Sequence, residues 1–421
     1  MSNKLIEPRT LAGFRDFLPT DMIVRKKVMG ILTNIFQKYG FDPLENPTLE
    51  YQDILLGKSG AEAEKLMYLF KDPGSRDVGM RYELTVSTAR VLAQYPTLPK
   101  PFKRYQIQPV WRADKPQKGR YREITQCDID TFGTTSPLAD AEIIAIIYEG
   151  LKGIGFKEFT IRINSRQILF QVMANAGISE DKYLTAIQSI DKLDKKTQEE
   201  VEKELEAKGF SLKSIKDIFA SLKNISPNDN LKDIFAAVEK LGVTKDYFKF
   251  DPILSRGLDY YTGVVFETAV TEPKIGSVTG GGRYDKLIGK FTGQDIAATG
   301  TSFGIDRICD VITELNLWPN TPKTSAKVLV TIFSKNLVDK SLEITSLLRE
   351  NGINAEIYLD QNSKLDKQLK YADQKGIPFA IIIGPDEAAK NLITIKDLNK
   401  KMQTTTKLED AIATLQHDEK N

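Results

Sequence analysis

The sequence predicts an α+β protein of two or three domains, in which a small alternating helix and strand unit follows a longer region of helices and hairpins. Three observations predict this organisation. The chain has 421 residues, and a domain usually takes about 100 to 200. Polar and apolar side chains alternate along two arms of a hairpin within residues 102–130. From about residue 326 the pattern becomes strand, helix, strand, helix, strand.

The first region opens with an amphipathic helix. Residues 20–39 carry apolar side chains at helical spacing, and Gly40 is a typical helix end. The segment FDPLENPTLE follows. Because proline donates no backbone hydrogen bond, Pro43 and Pro47 exclude a central strand and indicate an edge or interface segment.

Further helices follow the hairpin. Ser136 and Pro137 form an N-cap and first-turn pair for a helix over residues 138–151. Residues 165–250 are rich in lysine and glutamate, with helical patterns and no marked strand. They predict an inserted helical module, which is either a solvated bundle or a clamp on a substrate, and the charge pattern favours the bundle.

The last part of the chain alternates strands and helices. KVLVTIF, NAEIYL and IPFAIIIG are strand patterns, and the two helical stretches between them each end at a glycine. Such an order implies a parallel sheet with right-handed crossovers. We therefore expect a separate small α/β domain.

Composition excludes several classes of protein. No apolar run is long enough to span a bilayer, and the first residues lack the features of a targeting peptide, so we expect a cytoplasmic protein without membrane contact. Two cysteines exclude a disulfide framework. The single histidine, His417, lies in a polar tail, which excludes a Ser-His-Asp triad and a His-ligated metal. Arginine, lysine, carboxylates and tyrosine remain, and they suit charge stabilisation at a nucleotide phosphate.

The hairpin has a marked charge pattern. The net charge is only +2, so nucleic-acid binding would need a local basic patch such as VWRADKPQKGRYREITQCDID. Successive side chains of a strand point to opposite faces, which places Gln126, Asp128 and Asp130 together with Ile124. The other arm likewise groups Arg104, Gln106, Gln108 and Arg112 on one face. The hairpin is therefore either exposed to solvent or part of a site.

Two other stretches contain candidate site residues. SRGLDYYTGVVFE and SVTGGGRYDKL combine arginines, tyrosines and three consecutive glycines, which indicate either a backbone that approaches a ligand closely or a bulge. Their tyrosines line such a pocket or are half-buried sheet residues. In GTSFGIDRI, Arg307 lies in the first turn of a helix, where a cation is unfavourable unless it shares a bound phosphate or points into water. Neither a P-loop nor a G-x-G-x-x-G unit occurs.

These stretches, in this order, resemble the motifs of the class II aminoacyl-tRNA synthetases, and most closely those of the histidyl-tRNA synthetases. YGFDPLENPTLE, FKRYQIQPVWRADKPQKGRYREITQCDIDTFG and GTSFGIDRI are similar to the three class motifs, and RGLDYYTG and TGGGRYDKL are similar to two peptides of the histidine enzymes. The resemblance implies a catalytic α+β domain over 1–325 on a mixed, mainly antiparallel sheet, with the helical insertion at about 165–250. It also implies an anticodon-binding α/β domain over 326–421.

The resemblance implies a histidine–tRNA ligase. Such an enzyme forms histidyl-adenylate from L-histidine and ATP, releases pyrophosphate, and transfers histidine to the 3′ end of tRNA(His). Mg²⁺ is the expected ion, and no protein ligand to it is assigned because it bridges the phosphates. A homodimer through the segment around Pro47 is also implied. A regulatory paralogue and a tRNA-sensing module are the alternatives, and either should have lost the phosphate-binding arginines that this sequence keeps.

Position within the motifs assigns a role to each candidate residue. The ATP-binding group would be Arg112, Arg120, Ile124 and Arg307, with Ile124 in place of the family's aromatic side chain against adenine. Arg256 and Arg112 would be the catalytic pair. The histidine pocket would contain Glu83, Thr85, Gln126, Asp130, Arg256, Tyr260, Tyr261 and Tyr284. Lys115, Gln117 and Lys118 would contact the acceptor end of the tRNA.

Overall fold

The computed structural model describes residues 5–56, 65–116, 121–256, 260–273 and 275–417. The chain divides into two compact units. One comprises Met1–Asp16 with Lys27–Trp318, and the other comprises Phe17–Lys26 with Pro319–Asn421. Within the described ranges, every helix is too short or too polar to cross a membrane.

The first unit contains eleven strands among its described residues. They are β1 Asp42–Pro43, β2 Leu49–Tyr51, β3 Leu69–Lys71, β4 Asp77–Met80, β5 Phe102–Trp111, β6 Glu123–Phe132, β7 Phe159–Ser165, β8 Phe248–Phe250, β9 Val264–Val270, β10 Ser277–Arg283 and β11 Ala298–Gly304. The α-helices described up to residue 318 are α1 Pro19–Lys38, α2 Gln52–Leu56, α3 Thr85–Gln94, α4 Pro137–Ile154, α5 Arg166–Asn175, α6 Tyr183–Ile190, α7 Gln198–Ala207, α8 Leu212–Asn224, α9 Asp229–Lys240, α10 Gly289–Thr292 and α11 Ile305–Glu314.

Eight of these strands form one sheet in the order β1-β5-β6-β11-β10-β9-β7-β8. Only the end pairs β1/β5 and β7/β8 are parallel among its described neighbours. The predicted mixed, mainly antiparallel sheet is confirmed. A second, antiparallel sheet has the order β2-β4-β3.

Helices cover one face of the large sheet. Phe36 of α1 packs against Tyr105 and Phe303, with ring centroids 5.7 and 5.6 Å away. Gly150 of α4 lets that helix approach closely, because a β-carbon there would lie 3.0 Å from Leu32 and 3.2 Å from Phe303. Apolar side chains of the sheet therefore pack against the helices on this face, and polar side chains lie on the other face.

The predicted local features are found in the first unit. Gly40 ends the first helix with φ of +73°, and Pro43 lies in an edge strand of the large sheet. Ser136 caps α4, since its hydroxyl accepts a hydrogen bond of 3.3 Å from the Leu138 amide. Both the helix after Ser136 and the edge position of Pro43 are confirmed.

Residues 165–250 fold as predicted into helices, α5 to α9, followed by the three-residue strand β8. They build an apolar core of their own, and its buried side chains include Leu169, Ile187, Val201, Leu205 and Ile218. The helical insertion is therefore a packed body with its own interior.

The second unit contains a five-stranded sheet in the order β13-β12-β14-β15-β16. Its strands are β12 Val328–Val330, β13 Ala355–Ile357, β14 Phe379–Ile382, β15 Ile393–Asp397 and β16 Met402–Thr406. Its helices are α12 Val338–Glu350, α13 Leu365–Lys375, α14 Pro385–Ala389 and α15 Leu408–His417. The predicted parallel part is confirmed for β12, β13 and β14, whereas the antiparallel pair β15 and β16 was not predicted.

Candidate active site

The polar face of the large sheet carries a cavity of about 710 Å³. Its floor is formed by β6, β10 and β11, and its walls come from residues 82–85, from the base of the hairpin loop and from the start of α11. The predicted site residues that line it are Glu83, Thr85, Arg112, Ile124, Gln126, Asp130, Arg256, Tyr260, Tyr261, Tyr284 and Arg307. The structure thus brings together residues from distant parts of the chain, and the solvent-exposed interpretation of the hairpin is wrong.

Of the four predicted residues of the hairpin loop, Lys115 alone falls within the described residues. Lys115 is exposed and is not part of the lining. Gln117, Lys118 and Arg120 lie outside the described residues. Their assigned contacts with tRNA and ATP stay predictions.

Glu83 caps the helix that begins beside the cavity. Its two carboxylate oxygens accept hydrogen bonds from the Thr85 amide at 3.0 Å and the Val86 amide at 2.7 Å. These amides belong to the first turn of α3, where the helix dipole favours a negative charge. The Glu83 carboxylate is therefore fixed in position before any ligand binds.

Two aspartates and an arginine lie together at the bottom of the cavity. Arg104 Nη2 is 2.6 Å from Asp130 Oδ2, and both side chains are buried. The Tyr284 hydroxyl donates a hydrogen bond to the other oxygen of Asp130. Burial raises the pKa of Asp128 to about 7, and the nearby charge of Arg104 opposes that rise. Asp128 thus lies beside Asp130 as a second buried aspartate at the bottom of the cavity.

Arg104 and Asp128 were placed on the polar face by sequence reasoning but were given no role. The signal that could have found them is the register of the hairpin, in which Arg104 is the cross-strand partner of Asp130. Opposite charges facing each other on the buried face of a sheet indicate an ion pair that is part of a site.

Arg256 enters the cavity from a strained backbone position. Its φ is +58°, which is uncommon for a residue with a side chain. Nη1 donates a hydrogen bond of 2.7 Å to Glu267 Oε2, and the guanidinium covers Gly280 so closely that a β-carbon there would be 2.4 Å from Nη1. Burial by itself would lower the pKa of Arg256. The effects of Tyr261 and Glu267 outweigh burial and raise this pKa above its ordinary value, so the side chain stays charged.

Arg112 and Arg307, the other two predicted arginines that the structure describes, are held by backbone carbonyl groups. Arg112 Nε donates to Tyr82 O at 3.2 Å, and its guanidinium lies 4.4 Å from the centroid of the Tyr82 ring. Arg307 Nη1 donates to Ser277 O at 2.7 Å. Arg307 is therefore an exposed residue whose guanidinium is held at the cavity wall, and its contact with a phosphate stays a prediction.

The N-terminal segment supports the wall beside Arg307. Arg15 forms an ion pair of 2.6 Å with Asp306, and its guanidinium stacks 3.2 Å above the Tyr121 ring. Tyr121 and Asp306 both line the cavity. Arg15 thus joins two cavity residues that lie far apart in the sequence.

The glycine run of β10 forms part of the floor. A β-carbon on Gly281 would lie 2.0 Å from Gly300 O, and one on Gly300 would lie 1.9 Å from Asp130 Oδ1. Gly280, Gly281 and Gly282 pair in regular register with β9, and the irregularity of this pair lies before them, between Ser277 and Thr279. The alternative in which the glycines form the bulge is therefore wrong, and they give the floor a surface of bare backbone.

The first unit has a mixed, mainly antiparallel sheet with a cavity lined by arginines, carboxylates and tyrosines, and the chain ends in an α/β unit. Together these features define a class II aminoacyl-tRNA synthetase. Residues 13–308 match the family described as "Histidyl-tRNA synthetase", and residues 327–418 match the one described as "Anticodon binding domain". The chain belongs to the histidyl-tRNA synthetase family.

Relatives in distant organisms support this membership. The chain is 42% identical to a histidine–tRNA ligase of Rhodopirellula baltica, over 94% of this chain and 95% of the relative. It is 40% identical to a histidine–tRNA ligase of Aeropyrum pernix, over 96% of this chain and 97% of the relative. Among solved structures, it resembles a histidyl-tRNA synthetase from Nostoc sp. with a TM-score of 0.87 and 28% identity, over 98% of this chain and 100% of that chain.

Proposed function

We propose that this protein is an ATP-dependent histidine–tRNA ligase that first forms histidyl-adenylate and then esterifies the 3′ end of tRNA(His). The observation that carries the proposal is that three arginines line the same cavity as Glu83, Gln126 and Asp130. We also propose a cytoplasmic location, where charged tRNA would be used in translation.

The arginines suit the activation step. Attack of the histidine carboxylate on the α-phosphorus of ATP concentrates negative charge on the phosphate oxygens. Preorganised guanidinium groups stabilise that charge without a general base, and Arg112, Arg256 and Arg307 are each held by a carbonyl or carboxylate acceptor. We assign Arg256 and Arg112 to the α-phosphate and Arg307 to the far end of the triphosphate.

The cavity also fits a Mg²⁺ ion bound with ATP. Asp114 and Asp306 line the cavity, and carboxylates are the hard oxygen donors that Mg²⁺ takes, but one oxygen of Asp306 is already paired with Arg15. Mg²⁺ would neutralise charge on the phosphates when bound. We propose that phosphate oxygens hold it in the main.

The remaining polar residues suit L-histidine. Its ammonium group and imidazole N–H need acceptors, which Glu83, Gln126 and Asp130 supply. Within the described part of the chain, Gln126 Oε1 is buried and accepts no hydrogen bond. A buried acceptor without a donor is costly, so a ligand that donates to it is favoured. We assign the remaining walls of this pocket to Thr85, Tyr260, Tyr261 and Tyr284.

Ile124 takes part in the nucleotide half of the cavity. It lines the cavity together with Arg112 and Arg307. An aliphatic side chain offers adenine a contact surface but no stacked ring. We propose that Ile124 and the side chain of Arg307 enclose the base.

The tRNA would contact both units. We assign residues 1–325, with the insertion at about 165–250, to catalysis and residues 326–421 to the anticodon. The exposed Lys115 lies in the hairpin loop that would meet the acceptor end with Gln117 and Lys118, and Arg120 of the same loop would reach the ATP phosphates.

An exposed apolar face supports a homodimer through the segment around Pro47. Tyr51, Val78 and Phe70 lie side by side in the register of the small sheet. Tyr51 and Phe70 are 53% and 43% exposed, and Val78 between them is buried at 8%. Contiguous exposed apolar residues usually mark a binding surface, and a second copy of this chain is the partner that we propose.

Two half-reactions test the function. Histidine-dependent exchange of pyrophosphate into ATP should occur with the purified protein, and labelled histidine should become attached to tRNA. A protein that binds histidine but gives neither reaction would be the regulatory paralogue. Exchange without transfer would contradict the second step alone.

A further inference from the structure

Lys195 brings the helical insertion to the cavity. Among the described residues of the stretch 166–247, it is the one that lines the cavity. It directly follows a short 3-10 turn, Asp191–Asp194, and its side chain is exposed. The insertion is thus more than an appended bundle, because one of its residues lies on the wall of the candidate active site.

The turn before Lys195 is tied to the sheet by a double ion pair. Arg162 of β7 reaches Asp194 with two hydrogen bonds of 2.7 and 2.8 Å, and its Nε reaches Asp251 at 2.6 Å. A bidentate arginine pair fixes orientation as well as distance. The end of the turn is therefore held in one place relative to the sheet.

The start of the turn is tied to the segment that carries Arg256. The Ser255 hydroxyl donates a hydrogen bond of 2.6 Å to Asp191 Oδ1. The Arg256 carbonyl accepts one of 2.8 Å from Arg166, the first residue of α5. Lys195 therefore approaches the cavity from the side of Arg256, where the amino-acid carboxylate and the α-phosphate are assigned.

Lys195 differs from the neighbouring lysines in its ion pairing. Lys192, Lys196 and Lys208 all form ion pairs with Glu204, two of them at 3.1 and 3.0 Å. The hydrogen bond from Lys192 is the main cause that lowers the pKa of Glu204. Over the part of the chain that the structure describes, Lys195 has no such carboxylate partner. The turn thus presents one cation that is not neutralised.

We propose that Lys195 binds a backbone phosphate of the tRNA 3′ end and positions the terminal ribose for transfer, with Arg162 as the positioning residue for the turn. The inference rests on the proposed function. ATP already meets three fixed arginines, whereas the incoming strand must enter past the exposed wall after the adenylate has formed. A lysine on a flexible stem is suited to such a point contact with a phosphodiester.

The test compares Lys195→Ala with Lys196→Ala, a matched control that removes an equal charge one residue away, outside the cavity lining. In Lys195→Ala, pyrophosphate exchange and the KM for ATP should stay within about twofold of wild type. Transfer from preformed adenylate to tRNA should slow by about five- to tenfold, and the salt dependence of tRNA binding should lose about 0.7 in its log–log slope, the value of one single-strand phosphate contact. Lys196→Ala should change neither the rate of transfer nor the salt dependence of tRNA binding. Lys195→Arg should restore transfer.

Three outcomes would overturn the inference. A raised KM for ATP with normal transfer would assign Lys195 to the nucleotide. Unchanged transfer in Lys195→Ala, or an equal defect in Lys196→Ala, would show that Lys195 contributes no contact of its own. Absence of exchange in the wild type would instead refute the proposed function, so the two failures are distinguishable.

The role of Arg162 has a separate test. Asp194→Asn weakens the double ion pair without removing Lys195, and it should slow transfer while sparing exchange. In the double variant with Lys195→Ala, the loss should be no larger than in Lys195→Ala alone, because the turn acts through that lysine. Multiplicative losses would reject the positioning role.

Discussion

Replacing Arg256 with alanine should lower histidine-dependent pyrophosphate exchange by at least about a hundredfold. Arg256 Nη1 is fixed 2.7 Å from Glu267, and the Arg256 Nε finds no acceptor among the groups that the structure describes. The guanidinium is therefore preorganised, with donor capacity left for a ligand. Loss of one preorganised donor to a transition-state oxyanion typically costs about 2.7 to 4 kcal/mol, which is about 10² to 10³ in rate.

The measurement is exchange at saturating ATP and histidine, with thermal unfolding recorded in parallel. Alanine and arginine are strained alike at φ of +58°, so the substitution isolates the side chain from the backbone. Arg256→Lys, which keeps the charge but loses the planar fork, should recover part of the rate. Near-normal exchange in Arg256→Ala with an unchanged melting temperature would refute the assigned role.

Three further predictions follow from the cavity and its loop. The folded-state pKa of Asp128 is raised from 3.8 to about 7, so the folded protein holds this proton where the unfolded chain has released it, and stability falls as pH rises between these values. Asp128→Asn should remove that slope, and a melting temperature that varies with pH as in the wild type would contradict it. Ile124→Phe should lower the KM for ATP by supplying a ring against adenine, whereas an unchanged KM would count against the assigned contact. Replacing Lys115 and Lys118 with glutamine should weaken aminoacylation and reduce its salt dependence while sparing exchange. Equal losses in both half-reactions would assign the loop to ATP.

The fold was predictable where local pattern decides it. Alternation in β5 and β6 placed Gln126 and Asp130 on one face, and the Ser136 cap and Gly40 set helix boundaries. Alternation gives the face of a strand but not its burial, so the hairpin could equally have been exposed. The register that pairs Arg104 with Asp130 would have identified their ion pair, but alternation along each strand does not give that register.

The parts of the site that were missed depend on contacts between residues far apart in the sequence. Lys195 reaches the cavity because Arg162 binds Asp194 and Asp251, which are 32 and 89 positions away. Charged residues in a lysine- and glutamate-rich stretch look alike in sequence, and only the fold separates those paired with Glu204 from Lys195. Strand β16 was missed because a short, polar, threonine-containing edge strand gives a weak apolar pattern, and β15, an interior strand with buried Ile393 and Ile395, was missed because it has only five residues.

The backbone floor formed by Gly280, Gly281 and Gly300 limits how the substrate range of this enzyme can be engineered. A side chain added there would displace the Arg256 guanidinium, the Gly300 carbonyl or the Asp130 carboxylate, because the clearances are 2.4, 2.0 and 1.9 Å. A library aimed at a different amino acid should therefore leave these strands untouched. Variation belongs at residues whose side chains already line the cavity, such as Thr85, Gln126 or the tyrosines.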